Sequence, residues 1–219
     1  MTLLWIALAG MTTLALIAPF DYEITIWLSH HKHSGFARIM GQSIFDGGSF
    51  GVGDIATCAF IGSAVVWFYL RYVKKFPRNS IARAYGIITL SSLVSGLLIV
   101  HGLKLLMGRP RPHAVLEGQA PFHAFFEPSS LERFWGSGSF PSGHAATMAS
   151  LIVLIYIFPW TLAQRITFMV VIATLTVGMG MARCMSLDHW ITDSVASFFL
   201  CWMAGHVVSA KTPAKKDQP

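Results

Sequence analysis

An all-α, membrane-embedded fold with six transmembrane helices is predicted by three observations. The chain is 54% hydrophobic and only 12% charged, with a mean hydropathy of +0.58, whereas soluble domains carry about 25% charged residues. Its apolar residues gather into runs close to the ~20 needed for a helix to cross ~30 Å of hydrocarbon. The breaks between these runs collect the prolines, glycines and charges.

The runs fall near residues 3–19, 52–70, 84–107, 143–158, 165–182 and 190–208, five of them strong and one weaker. The first has no Lys or Arg ahead of it and no small-residue cleavage site, so it reads as a retained anchor and not a signal peptide. Between the first two runs, Asp21 to Phe50 sets Trp27, Leu28, Phe36 and Ile39 among histidines and charges. That mixture predicts helices lying at the membrane interface. Lys74 to Asn79 is a polar, proline-containing break, and the longest break runs from Gly108 to Pro141. No internal repeat and no second domain is visible. One unit is expected over 1–210, with its motif core in 52–208, followed by a short basic tail at 211–219.

The net charge of +6 sits in short clusters between apolar runs and forms no stripe. This describes lysines and arginines at a membrane surface, with no nucleic-acid partner. With six spans, Arg71, Lys74, Lys75, Arg78 and Arg83 share one side with the tail lysines, and the positive-inside rule places that side and both termini in the cytoplasm. The segments 20–51, 108–141 and 183–189 then face outward together. Cys58, Cys184 and Cys201 lie in or beside apolar runs without metal-site or disulfide spacing, as small core residues do.

Three outward segments carry groups suited to phosphate. Lys104 lies on the last turn of the third span, and Pro110 and Pro112 end that helix, leaving Arg111 on extended chain beyond. An ammonium and a guanidinium placed so can converge on one anion, or simply mark a helix end. Phe140-Pro141-Ser142-Gly143-His144 opens the fourth span. Ser142 and Gly143 stand where a helix presents free N–H groups, and His144 follows in the first turn. An N-capped turn with an interfacial histidine is the plainer alternative. In the third segment Arg183 precedes His189 and Asp193, which stand four apart, on one face of a helix. A carboxylate accepting from one imidazole nitrogen leaves the other free as a nucleophile. Ionisable residues near membrane depth cost at least about 2.5–3.5 kcal/mol each, so the pair asks for a functional explanation, against a structural His–Asp hydrogen bond.

Taken together, the three segments resemble the motifs of the type 2 phosphatidic acid phosphatase superfamily, which includes bacterial acid phosphatases and vanadium haloperoxidases. The family pattern is Lys, six residues, Arg-Pro; then Pro-Ser-Gly-His; then Ser-Arg, five residues, His, three residues, Asp. It is met by Lys104 to Arg111-Pro112, by residues 141–144, and by Arg183, His189 and Asp193, with Ala182 standing where the family has Ser. The resemblance implies that His189 attacks phosphorus and forms a phosphohistidine, that Asp193 orients it, and that His144 protonates the leaving oxygen and later activates water. Lys104, Arg111, Arg183, Ser142 and Gly143 would bind the phosphoryl oxygens. Three fixed cations would supply the neutralisation a metal otherwise gives, so no metal and no cofactor is expected.

The implied activity is hydrolysis of a lipid phosphate or diphosphate of the undecaprenyl diphosphate, phosphatidylglycerol phosphate, phosphatidic acid or lipid A class. Alternatives are a lipid-to-lipid phosphotransferase with the same site, a transporter holding anionic lipids without chemistry, and a metal site built from His144, His189 and Asp193. The short chain without long extensions favours a bacterial inner-membrane enzyme with its site facing the periplasm. Elsewhere, His30 to His33 reads as a solvated turn, Asp46 to Gly48 as a turn, and Arg109 as an accessory charge outside the motif. His113, His123 and the aromatics Phe122, Phe125, Phe126, Phe134 and Trp135 read as an interfacial aromatic belt, with a lid or headgroup contact as the alternative, and His101 and His206 as packing or inter-helix hydrogen bonds.

Overall fold

The computed structural model describes residues 2–44, 48–74, 80–124 and 138–212. The described residues form helices and no strand, as the composition predicts. The proposed turn at Asp46-Gly47, Lys75 to Asn79 of the second break, the aromatics Phe125, Phe126, Phe134 and Trp135, and most of the basic tail lie outside the described residues.

Helix α1 (Leu3–Ile17) continues through a tight turn at Ala18–Phe20 into α2 (Asp21–His30). Pro19 enters that turn at its start, where a missing N–H leaves no bond broken. The resulting 28-residue helical path measures about 42 Å at 1.5 Å per residue, more than the hydrocarbon core needs. Residues 21–30 therefore prolong the first helix. The sequence reading made them part of an interfacial stretch, but Asp21, Thr25 and Leu28 are buried against the rest of the bundle. Helix α3 (Ser34–Gly41) is a separate piece, capped by His33, whose Nδ1 accepts from Phe36 N at 3.1 Å.

Helix α4 (Val52–Phe68) runs on to Val73. Helix α5 (Ser80–Leu93) passes through a wider turn (Val94–Val100) into α6 (His101–Met107). Gly108 ends α6 at φ +52°, in the left-handed region where glycine carries no Cβ penalty. Extended chain follows to the short α7 (Pro112–Leu116). Helix α8 (Gly143–Ala149) tightens into a 3-10 stretch (Ser150–Tyr156). Helix α9 (Leu162–Met185) starts at a reciprocal cap between Thr161 and Gln164, and α10 (Ile191–Lys211) closes the bundle.

Five helical paths are long and apolar enough to cross a membrane: Leu3–His30, Val52–Val73, Ile81–Leu116, Leu162–Met185 and Ile191–Lys211. Gly143–Tyr156 is apolar but shorter, about 24 Å when its two kinds of helix are counted at 1.5 and 2.0 Å per residue. Helix α10 is the axis of the bundle, 61% buried against 17% for the first path, and it touches α1, α5, α8 and α9. Small residues on α10 allow this. A Cβ added to Gly180 of α9 would stand 2.6 Å from Ser194 Cβ, so the two helices meet almost backbone to backbone.

The described parts of the three segments that the charge pattern places on one side converge at one end of the bundle. His113 N donates to Leu187 O at 3.1 Å, Arg183 Nη1 donates to Gly41 O at 3.0 Å, and Ser139 N donates to Arg109 O at 2.8 Å. At the opposite end Arg83 Nε donates to Thr212 O, joining the start of α5 to the end of α10.

Candidate active site

A cavity of about 600 Å³ opens at that convergent end, and its walls include Lys104, Arg111, Gly143, His144, Arg183 and His189. Residues spread over 86 positions of chain are thus brought to one space. Each arrives by a local device. The left-handed stop at Gly108 turns the chain after Lys104, so Arg111 follows on extended backbone (φ −74°, ψ 152°). Ser142 is the N-cap of α8, its Oγ accepting from Ala145 N at 3.4 Å, which leaves Gly143 and His144 in the first turn at the cavity wall. The Ser142 side chain is itself buried in that cap and is absent from the cavity wall. Of the two groups expected to meet phosphate at this turn, the glycine is the one at the cavity.

The α8 start is locked to the α10 start. Ser197 Oγ donates towards Asp193 O (2.7 Å) and Ser142 O (2.9 Å), while Ser142 N donates to Asp193 O at 3.2 Å. His144 and His189 are held in one frame by these bonds.

His189 and Asp193 meet, although by a different route from the one their spacing suggested. Helix α10 begins only at Ile191, because the Asp193 carboxylate caps it: Oδ2 accepts from Trp190 N at 2.9 Å. His189 therefore lies in the turn before the helix, with Nδ1 buried and 3.4 Å from Asp193 Oδ2, an ion-pair distance that falls short of a formed hydrogen bond. That contact turns Nδ1 away from the cavity and leaves Nε2 as the nitrogen available to it. The same turn holds Leu187 at φ +57°, uncommon for a residue with a side chain. Burial lowers the His189 pKa, as do the nearby Lys104 and Arg183, against the raising effect of Asp193.

The cations are arranged around a carboxylate that the sequence reading gave no role. Asp188 takes Arg183 Nη2 at 3.2 Å and Arg111 Nη1 at 3.7 Å, tying two elements of the site together. The Nε atoms of both arginines are buried without a hydrogen-bond acceptor among the described residues. Buried donors of that kind are rare and costly, and two on one cavity suit a site that takes an anion with several oxygens.

Arg109 is the largest correction. The sequence reading placed it as an accessory charge; the structure buries its side chain completely behind His189 and Asp193. Its Nη1 stands 2.7 Å from Asp193 Oδ1 and 2.9 Å from Thr192 Oγ1, and its Nη2 2.6 Å from Asp21 Oδ2. Nε donates to His123 O at 2.9 Å, and the guanidinium lies against the rings of Trp190 and Phe122. His101, read as a packing residue, is instead on the cavity wall one turn before Lys104. His206 does meet Tyr156 across helices, at 3.3 Å from its hydroxyl. His31 stacks on Trp27, and no cluster of His, Cys, Asp and Glu that could hold a metal ion occurs among the described residues. A signal for Asp21 was available: an acid placed at the end of a long apolar run asks for a partner.

The family model of the PAP2 superfamily matches residues 84–217. That is more than half of the chain, and the chain belongs to this superfamily. The class so defined is a helical, multi-pass membrane protein with phosphatase-type chemistry on phosphate esters. Comparison with curated proteins and with solved structures gave no match. The match takes in every motif residue from Lys104 to Asp193 and leaves out α1 to α4, where Asp21 lies.

Proposed function

We propose that the protein is a lipid phosphate phosphatase working through a phosphohistidine on His189, within one catalytic unit over residues 1–210. The observation that carries this reading is the meeting of His144 and His189 with three cations on the walls of a single cavity at one end of an apolar bundle. His189 Nε2 would give its lone pair to phosphorus as the bond to the lipid oxygen breaks, and His144 would give that oxygen a proton. A water molecule, losing its proton to His144, would then attack the phosphoenzyme. The phosphorus–nitrogen bond would break back onto Nε2 and inorganic phosphate would leave. Asp193 would stabilise the imidazolium, and Lys104, Arg111, Arg183 and the Gly143 N–H would hold the charge on the equatorial oxygens. Ser142 would act through the cap that fixes that turn.

A lipid substrate is favoured by a second cavity of about 260 Å³ that shares Thr57, Gly96, His101 and Thr147 with the first and continues between Phe60 and Leu93. A headgroup held among the cations would leave its first tail carbons there. The substrate class is a lipid phosphate or diphosphate such as undecaprenyl diphosphate, phosphatidylglycerol phosphate, phosphatidic acid or lipid A. The setting is a bacterial inner membrane, with six spans, both termini cytoplasmic and the cavity outside. Phosphate release from these four purified lipids in detergent, with His189→Ala as blank, tests the reading. Release from at least one lipid by the wild type alone, undiminished by strong chelator and abolished competitively by vanadate, is the expected result. Equal background from both proteins on every lipid would overturn it. Transfer to a second lipid without free phosphate would mark a phosphotransferase.

A further inference from the structure

Behind His189 lies a buried chain of charges that crosses from the last helix to the first. Asp193 Oδ1, Arg109 and Asp21 Oδ2 are joined by contacts of 2.7 and 2.6 Å, with side chains at most 2% exposed. Thr192 fixes the direction of the bonds. Its Oγ1 accepts from Arg109 Nη1 at 2.9 Å, so its own proton goes to Asp21 Oδ2 at 2.6 Å, and its backbone N donates to Asp21 Oδ1 at 3.0 Å. Asp21 thus accepts from three donors and offers none, the pattern of an ionised carboxylate.

The charge count gives this chain a purpose. Arg109 alone beside Asp193 would cancel the negative charge that His189 needs once it becomes an imidazolium. A second carboxylate on the far side of Arg109 restores a net charge of −1 to the group. We infer that Asp21, on the first helix and outside the family match, is a positioning residue for the nucleophile: by holding Arg109 and balancing its charge, it lets Asp193 act on His189 as an anion. The inference rests on the proposed function. The other charged groups facing His189 are Lys104 and Arg183; Arg111 and His144 line the same cavity, and Asp188, next to His189 in the chain, bridges Arg183 to Arg111. None of these can replace the lost charge: three are cations, His144 is cationic or neutral, and the Asp188 carboxylate is already taken by Arg183 and Arg111.

The test uses the full chain in detergent and whichever of the four lipids the wild type hydrolyses fastest. Asp21→Asn keeps the shape and removes the charge. Its kcat is expected to fall about tenfold with KM within about twofold, as for supporting partners of a reacting group. The acid limb of its kcat–pH profile should also move to lower pH, because a less supported imidazole takes its proton later. A purely structural role would lower the active fraction or the melting temperature and leave the limb in place. Should Asp21→Asn not fold, Thr192→Val removes one donor to Asp21 at matched shape, and the limb should move the same way by less. A wild-type limb in whichever variant folds overturns the inference. Failure of the phosphatase reading looks different: the wild type itself would then release no more phosphate than His189→Ala.

Discussion

At His189, burial and charge pull in opposite directions. Burial and the two cations favour the neutral ring, while Asp193 favours the charged one, and the net shift is downward. In the proposed mechanism the neutral ring is the nucleophile, so this shift would leave the resting site poised for attack. The same shift has a cost in stability. Below about pH 6.5, the ordinary histidine value, the unfolded chain takes up a proton that the buried ring refuses until lower pH. Stability is therefore full above that pH and falls as pH drops towards the folded value. Melting temperature in detergent between pH 7.5 and 5 should show this fall, and His189→Gln should make the profile shallower. Arg109 offers a second residue-level prediction. Its planar fork meets Asp193, Thr192 and Asp21 at once, which a lysine cannot do. Arg109→Lys should lose at least about 3 kcal/mol of stability, the cost of breaking a buried ion pair, read as a lower melting temperature or no folded protein. A variant as stable and active as the wild type would remove the buried chain from the account.

Among the elements, the contact of α9 with α10 sets the distance between Arg183 at the end of one and the His189 turn before the other. Gly180 makes that contact possible, and an added methyl would meet Ser194 Cβ at 2.6 Å and Oγ at 2.8 Å. Gly180→Ala should cost about 1–3 kcal/mol through overpacking and lower activity more than it lowers folded yield. Comparing kcat per folded molecule with the melting temperature checks this. The elements also show what was legible in the sequence. Hydropathy located the long helices, and three short motifs located the side chains around the cavity. The continuation of α1 into α2 was hidden because Asp21 and Glu23 look like an interface when their partners are unknown. The partners, Arg109 and Thr192, lie 88 and 171 positions away. The role of Asp188 was equally invisible, since its two arginines come from different elements. The i, i+4 spacing of His189 and Asp193 predicted that the two meet, for a reason the structure replaces, a helix cap in place of a helix face.

For the molecule as a whole, the axial α10 and the convergence of three segments at one end imply a polar face on one side of the membrane and a basic face on the other. With the cavity outward, a cysteine placed at Lys32 should react with a membrane-impermeant maleimide on intact cells. One placed at Lys74 should react only after permeabilisation. The reverse pattern would turn the protein over and move the site to the cytoplasm. The central claim, that one imidazole carries the phosphoryl group, is tested most directly by acid-free denaturing quench of the working protein with a lipid labelled in its phosphate. The account predicts label on the chain that survives alkali, is lost in acid, maps to His189 and is missing from His189→Ala. Rapid phosphate release with no label ever on His189, in a quench fast enough to catch turnover, would contradict it.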